Sequence, residues 1–381
     1  MKNKAQCNLC QERVKIFLNY NYPAYVRPTE DSKEVSILPL KIGFCQSCNH
    51  IMQVNPPMKA IKEIYNKFYK TFHSVALSNV GSEQINDFVA FVEKNISGKD
   101  LLEIGCSDGY FLNLMQKQGW NVWGCDPSPK TKIAIERFKI PIKKEFFDKK
   151  LYSQKFDCIV IRHVLEYVED LKNFLNEISS SLNLDGYLAI EVPNIVYTLK
   201  TGAIGSFIHE HISYFSSQSL EKLLSEMGYS TTSLVEYKNF IYWVGKHDNA
   251  SVKNSIKHDI SIEDLIHKYF KGIERLKKEL EVLKDSEVYI YCGGGHTLEL
   301  LNLAPLKVKA IIDKDESKKG KYLKGFDNIP IYSYDFLETL SDKDTIIISS
   351  KAFQDDIIKD LHHYANKGVK ILKLYPHCEY I

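Results

Sequence analysis

Asp100-Leu101-Leu102-Glu103-Ile104-Gly105-Cys106-Ser107-Asp108-Gly109-Tyr110-Phe111-Leu112 reads as the end of a buried strand, a glycine-rich turn and the start of an amphipathic helix. Leu101, Leu102 and Ile104 supply the apolar strand. Gly105 and Gly109 let the backbone turn sharply and approach a ligand closely. Tyr110, Phe111 and Leu114 resume at helical spacing. A second apolar run, Asn121-Val122-Trp123-Gly124-Cys125-Asp126, ends in an acid 21 residues after Gly105. In a doubly wound sheet that acid stands at the tip of the neighbouring strand, where a carboxylate takes two ribose hydroxyls.

Two ligand classes use such a turn. Dinucleotide binders need Gly-x-Gly-x-x-Gly, because the middle glycine makes room for a pyrophosphate. Here position 107 is Ser, the glycines are spaced Gly-x-x-x-Gly, and Glu103 lies two residues before the first of them. The pattern resembles motif I of class I S-adenosylmethionine (SAM) methyltransferases, whose ligand is a sulfonium amino acid without phosphate. The resemblance implies SAM contacts at Glu103, Gly105, Gly109 and Asp126. The plain alternative is a strand, turn and helix with glycines for packing. Agreement of all four features with one another argues against it.

The chain of 381 residues is long enough for two or three domains. Its 44% hydrophobic and 26% charged residues are those of a soluble globular protein. A net charge of +2 and no basic run with interleaved aromatics argue against a nucleic-acid partner. Met1 to Cys7 lacks an apolar signal core, and no apolar run approaches membrane-spanning length, so a cytoplasmic protein without membrane contact is expected. Nine cysteines in such a chain point to reduced thiols and metal binding rather than a disulfide framework.

Four of those cysteines form two knuckles, Cys7-Asn8-Leu9-Cys10 and Cys45-Gln46-Ser47-Cys48. Two Cys-x-x-Cys pairs in one small segment predict a four-thiolate, tetrahedral, structural zinc site with no open coordination position. The segment between them is long for a zinc ribbon, so extra strands are expected there, with Ile37 to Phe44 running into the second knuckle. His50 is a spare candidate ligand. Residues 57–99 read as helices, with Tyr65, Tyr69 or His73 as candidate caps over the site.

The central unit continues as alternating strands and helices. Lys155 to Ile161 is a buried strand that ends at Arg162-His163-Val164-Leu165-Glu166-Tyr167. Residues just past the carboxyl end of such a strand line the ligand crevice, which makes Arg162 and His163 candidates. Further on, Ile208-His209-Glu210-His211-Ile212-Ser213-Tyr214-Phe215 sets two histidines around a carboxylate. A histidine beside a carboxylate is the arrangement of a tuned general base; a solvated polar loop is the alternative. A long helix from Ile262 to Leu283 carries one apolar face and connects to a second, smaller α/β unit. That unit opens with Cys292-Gly293-Gly294-Gly295-His296, a glycine run that could hold a phosphate at a helix N-terminus or serve only as scaffold.

This order of parts resembles the three-domain nucleotide-sugar C-methyltransferases, which methylate C-3 of a 4-keto-6-deoxy sugar attached to a nucleotide. The motifs that carry the resemblance are the cysteine pairs, Glu103 to Gly109, Arg162 to Glu166, Glu191-Val192-Pro193, His209 to Ser216, and Asp313 with Lys318 to Gly325. It implies a zinc module at 1–56, a SAM domain with helical lead-in at 57–249, and a linker helix with a Rossmann-like domain at 250–381. It implies His211 as the base and Glu210 as its carboxylate partner; His209 and His163 are further candidates. Many members carry tyrosine immediately before the His-Glu-His, where this chain has Ile208. The expected cofactors are SAM and zinc, the expected partner a nucleotide-sugar substrate, and the expected state a monomer or small homo-oligomer. The chemistry agrees. A ketone acidifies the neighbouring C–H, and a base near neutral pKa makes the carbon nucleophile. An O-methyltransferase acting on a sugar hydroxyl and a noncatalytic SAM-domain assembly protein are the alternatives.

Overall fold

The computed structural model describes residues 5–68, 75–78, 81–237, 239–248, 261–351 and 353–381. Tyr69 and His73 lie outside them. Among the described residues no helix is long and apolar enough to cross a membrane.

Seven strands form the central sheet in the order Tyr229–Tyr237, Phe240–His247, Leu182–Pro193, Phe156–Arg162, Asp100–Ile104, Asn121–Cys125, Ile142–Lys143. The last five are parallel to one another, and Phe240–His247 pairs antiparallel with Leu182–Pro193 and with Tyr229–Tyr237. Central strands covered on both faces must be apolar throughout, and Cys158 to Ile161 are fully buried. This order, with one antiparallel strand inserted near the edge, is the class I SAM methyltransferase fold expected from the sequence. Its switch point lies between Asp100–Ile104 and Phe156–Arg162, where helical connections leave on opposite sides and open a crevice. The strand Tyr229–Tyr237 was not anticipated. Its alternation is broken by exposed threonines and a serine, so its periodicity is weak.

Residues 5–56 build a small antiparallel sheet, Val14–Pro23, Ile37–Cys45 and Ile51–Gln53, to which a fourth strand is added. That strand, Ser213–Tyr214, comes from the loop just after His211. A third sheet has the order Ile331–Tyr332, Lys307–Ile312, Glu287–Tyr291, Thr345–Ile348, Lys370–Lys373, Glu379–Tyr380, parallel except for the last strand. This is the second Rossmann-like unit.

The helix Ile262–Leu280 starts at Ser261, whose hydroxyl caps the Asp264 N–H at 3.2 Å. Its buried face of Ile262, Leu265, Ile266, Tyr269, Leu276 and Leu280 belongs to one continuous core. Tyr22 and Leu40 of the first sheet, Ile195 and Phe207 of the central unit, and Val288 and Leu372 of the last sheet join the same core. The three units therefore share apolar surface and are not beads on a string.

Candidate active site

The glycine turn is built as its composition demands. Gly105 and Gly109 have φ of 77° and 74°, in the left-handed region. A Cβ on Gly105 would lie 2.4 Å from Val164, and one on Gly109 would lie 2.5 Å from the Ala134 Cβ. Asp126, at the tip of the next strand, is buried and accepts the Ser107 N–H at 2.9 Å and the Ser128 N–H at 2.6 Å. It thus ties the turn before it to the loop after it. Asp108 accepts from the Ala76 and Tyr110 amides at 2.9 and 3.0 Å, anchoring the short helix Val75–Ser78 over the turn.

Beneath the turn lies a buried charge network. Arg162 donates to Glu191 at 2.6 Å, stands 3.8 Å from Glu103, and is flanked by the Phe88 and Phe111 rings. Burial alone would raise the Glu191 carboxyl; Arg162 and His163 reverse that and hold it at about 2. Glu103 has the weaker partner, and burial pushes it up to about 8 against the pull of Arg162. One Glu103 oxygen has no hydrogen-bond partner among the described residues. A buried orphan acceptor facing a glycine turn suits a ligand that brings a cationic amino group, as SAM does.

His163 is held between two carboxylates, 3.4 Å from Glu166 and 3.6 Å from Glu191, in a left-handed conformation with φ of 52°. Burial would lower it, but Glu166 and Glu191 more than compensate and raise it to about 9. A cation at neutral pH has no lone pair to take a proton, so His163 is corrected from candidate base to member of this network.

The His209-Glu210-His211 loop separates its three residues. His209 is fully buried, with Nε2 3.2 Å from both the Tyr22 and Leu38 carbonyls and Nδ1 3.1 Å from the Gln53 amide nitrogen. Its Nε2–H donates to the carbonyls and its Nδ1 accepts from Gln53, so both nitrogens are used. His209 is therefore a pin into the first sheet, not a base. Glu210 is buried, one oxygen has no partner among the described residues, and burial raises its carboxyl against the pull of Arg27. No hydrogen bond or ion pair joins Glu210 to His211 among the described residues; the hydrogen bond that His211 makes is to Tyr167. Its Nε2 lies 3.4 Å from the Tyr167 hydroxyl, with the two rings edge to face.

His211 and Glu166 line one cavity of about 230 Å³. Its walls include Asn194 and Phe240 from the central unit, and His296 and Lys351 from the last. Ile208 lines it too, its backbone N–H and carbonyl both bonded at 3.0 Å to the Tyr214 hydroxyl. Burial pushes His211 down to about 4, with Glu166 opposing and His163 and Arg27 reinforcing the fall. The glycine run of the last unit closes the wall rather than lying open. A Cβ on Gly205 would sit 2.7 Å from the Gly295 carbonyl oxygen, and His296 Nδ1 lies 2.5 Å from the Ile204 carbonyl. Asp313, at the tip of Lys307–Ile312, accepts from the Gly293 N–H at 2.8 Å and from Lys318 at 2.7 Å.

The four knuckle cysteines converge, their sulfurs all within 4.8 Å of one another. Cys7–Cys48, Cys10–Cys45 and Cys10–Cys48 are 3.6, 3.4 and 3.5 Å apart. A tetrahedral zinc with bonds of about 2.3 Å would set its sulfurs about 3.8 Å apart, so the donor set fits the metal. None of the four is in a disulfide. His50 stands outside the cluster, its Nε2 3.3 Å from the Ser213 hydroxyl.

Residues 78–234 match the family described as a methyltransferase domain, and residues 257–376 match the C-methyltransferase C-terminal domain. The C-methyltransferase NovU of Streptomyces niveus is 30% identical over 142 residues, 34% of this chain and 33% of that protein. The ubiquinone biosynthesis O-methyltransferase of Pelagibacter ubique is 29% identical over 131 residues, 32% of this chain and 54% of that protein. The chain thus spans a third to about half the length of these relatives. Among solved structures, the 1,6-didemethyltoxoflavin-N1-methyltransferase of Burkholderia thailandensis superposes with a TM-score of 0.43 at 14% identity, over 55% of this chain and 95% of that one. Glu166, which lines the cavity, and Tyr167, which contacts His211, follow Arg162 and His163 in the chain but were not singled out as site candidates. Their signal was their place just beyond the carboxyl end of Phe156–Arg162.

Proposed function

We propose that the chain is a SAM-dependent C-methyltransferase acting on C-3 of a nucleotide-linked 4-keto-6-deoxy sugar, with His211 as the base. The observation that carries this reading is the seat of His211 in a cavity walled by both the methyltransferase domain and the C-methyltransferase C-terminal domain. SAM supplies an electrophilic methyl carbon when bound, beside Glu103, Gly105, Gly109 and Asp126. His211 accepts the proton next to the ketone; the C–H electron pair passes to the carbonyl oxygen as an enolate. The neutral imidazole that burial enforces is the state that can accept a proton. Tyr167 holds the ring in place. Asn194, Asn239, Ser206 and Lys351 offer donors for a polyhydroxylated, anionic acceptor. Zinc at Cys7, Cys10, Cys45 and Cys48 ties the first sheet together, and through Ser213–Tyr214 that sheet holds the loop of the base.

The test is incubation with SAM and a panel of nucleotide-linked keto sugars, read by mass spectrometry. A mass gain of one methyl on a carbon bearing no ether oxygen is expected. Formation of a methyl ether would replace this reading with an O-methyltransferase, for which Ile208 in place of the family tyrosine is the specific observation.

A further inference from the structure

We propose that the side-chain amide of Asn194 is a further catalytic residue: it donates to the ketone oxygen of the acceptor and holds the negative charge that gathers there when His211 removes the neighbouring proton. The inference rests on the reading of His211 as the base of a carbon methylation. Asn194 directly follows the strand Leu182–Pro193, which runs parallel to Phe156–Arg162. The carboxyl ends of such strands face the ligand crevice. Asn194 is only 3% exposed, yet it lines the cavity together with His211. The two segments are joined, because the Ile195 N–H donates at 2.9 Å to the carbonyl of Phe215, a few residues beyond His211. The Asn194 backbone is fixed as well, its N–H donating to the Asn239 carbonyl at 2.8 Å.

The direction of the amide is set by the helix that it caps. Asn194 Oδ1 accepts from the Val196 N–H at 2.9 Å and the Tyr197 N–H at 3.4 Å, at the start of the helix Ile195–Thr201. Only an oxygen can accept from backbone N–H groups, so this network distinguishes Oδ1 from Nδ2. Nδ2 is turned away from the helix and makes no hydrogen bond among the described residues. The cap needs the oxygen alone. The amide hydrogens are left over, and a nearly buried donor without a partner is unfavourable until a ligand oxygen meets it.

Other groups around the cavity are engaged elsewhere. The Ser213 hydroxyl is bonded to Asn8 and His50, the Tyr214 hydroxyl donates to the Ile208 carbonyl, and Ile208 offers no side-chain donor. Lys351 reaches the cavity on a long side chain, its Nζ 5.6 Å from the centre of the Tyr375 ring, and suits an anionic part of the acceptor better than one fixed oxygen. In the step itself the acceptor C–H bond breaks and the proton goes to His211. The freed pair forms the carbon–carbon double bond, and the carbonyl π pair moves onto oxygen. A donor already held in place needs no reorganisation as that charge grows, so it favours the transition state over the bound ketone.

The test is α-proton exchange in heavy water, followed by NMR on a nucleotide-linked 4-keto-6-deoxy sugar without SAM. Asn194→Asp and Asn194→Ser keep a capping oxygen and remove the amide donors. Both should keep the wild-type thermal midpoint and the wild-type SAM affinity in calorimetry. Their exchange rate at saturating sugar should fall about a hundred- to a thousandfold, the loss typical of one oxyanion donor. Near wild-type exchange at saturation in a folded variant overturns the proposal. A rise in KM alone overturns it too, because it marks a contact that does not strengthen in the transition state. A thermal midpoint that falls in both variants in step with exchange makes Asn194 a cap and nothing more. If Asn194→Asp does not fold, Asn194→Ser decides alone. Wild-type protein that binds SAM but exchanges no α-proton on any sugar of the panel removes the base reading and this proposal with it. Wild-type exchange with unaffected variants removes this proposal alone.

Discussion

His209 and His211 are two residues apart and meet opposite surroundings. His209 spends both nitrogens on the first sheet, so His209→Ala leaves two carbonyls and the Gln53 amide without their partner. A loss of about 1–3 kcal/mol in unfolding free energy is expected, read by urea denaturation. His211 faces the cavity and spends one nitrogen on Tyr167. His211→Asn should abolish both exchange of the acceptor α-proton in heavy water and methyl transfer, with SAM affinity intact. A variant that still methylates at near wild-type rate would remove the base assignment. Asp126 accepts two loop amides and so ties the turn before it to the loop after it. Asp126→Ala should weaken SAM binding by roughly 1.5–3 kcal/mol in calorimetry, because a charged acceptor is lost and the turn loses its tie.

At the scale of elements, the short strand Ser213–Tyr214 matters beyond its length. It pairs with Ile51–Gln53, and the Ser213 hydroxyl contacts His50 and Asn8, the latter inside the first cysteine knuckle. Metal removal should therefore loosen the loop that carries His211. Chelation is expected to release about one zinc per chain, the count for one four-cysteine site. It should suppress α-proton exchange while SAM still binds the turn at Gly105. Simultaneous loss of SAM binding would show that the module supports the whole domain instead. The glycine contact between Gly205 and Gly295 is the corresponding joint with the last unit. Gly205 combines a φ of 72° with a 2.7 Å approach to the Gly295 carbonyl oxygen. Gly205→Ala should cost about 1–3 kcal/mol and lower the thermal midpoint.

Over the whole molecule, buried charges make stability depend on pH. His163 is raised from 6.5 to about 9 on folding, so its contribution is full below pH 6.5 and is lost as pH rises through 9. Glu103, raised from 4.5 to about 8, loses its contribution over a lower but overlapping range. The thermal midpoint is expected to fall from pH 6.5 toward 9 in a calorimetric scan. His163→Gln should flatten that fall; an unchanged slope would show that the network titrates elsewhere. On the acid side Glu191, held at about 2, contributes above pH 4.5 and loses that contribution only as pH falls through 2.

Sequence alone determined the features encoded within a few dozen residues. The glycine turn with its distal acid, the paired cysteine knuckles, the apolar central strands and the apolar face of Ile262–Leu280 are all local patterns. Each was legible because one residue's conformational need, or one periodicity, specifies it. Tertiary structure decided what each polar side chain is for. His209 meets Gln53 and Tyr22 across more than 150 residues of chain, and Glu166 reaches the cavity of His211 from a different strand connection. Adjacency in sequence pointed to Glu210 as the partner of His211, but the chain turns at His209-Glu210, where the His211 N–H bonds the Ile208 carbonyl at 3.3 Å, and no hydrogen bond joins the two side chains among the described residues. Burial then settled their protonation, which depends on the atoms packed around a group and not on its neighbours along the chain.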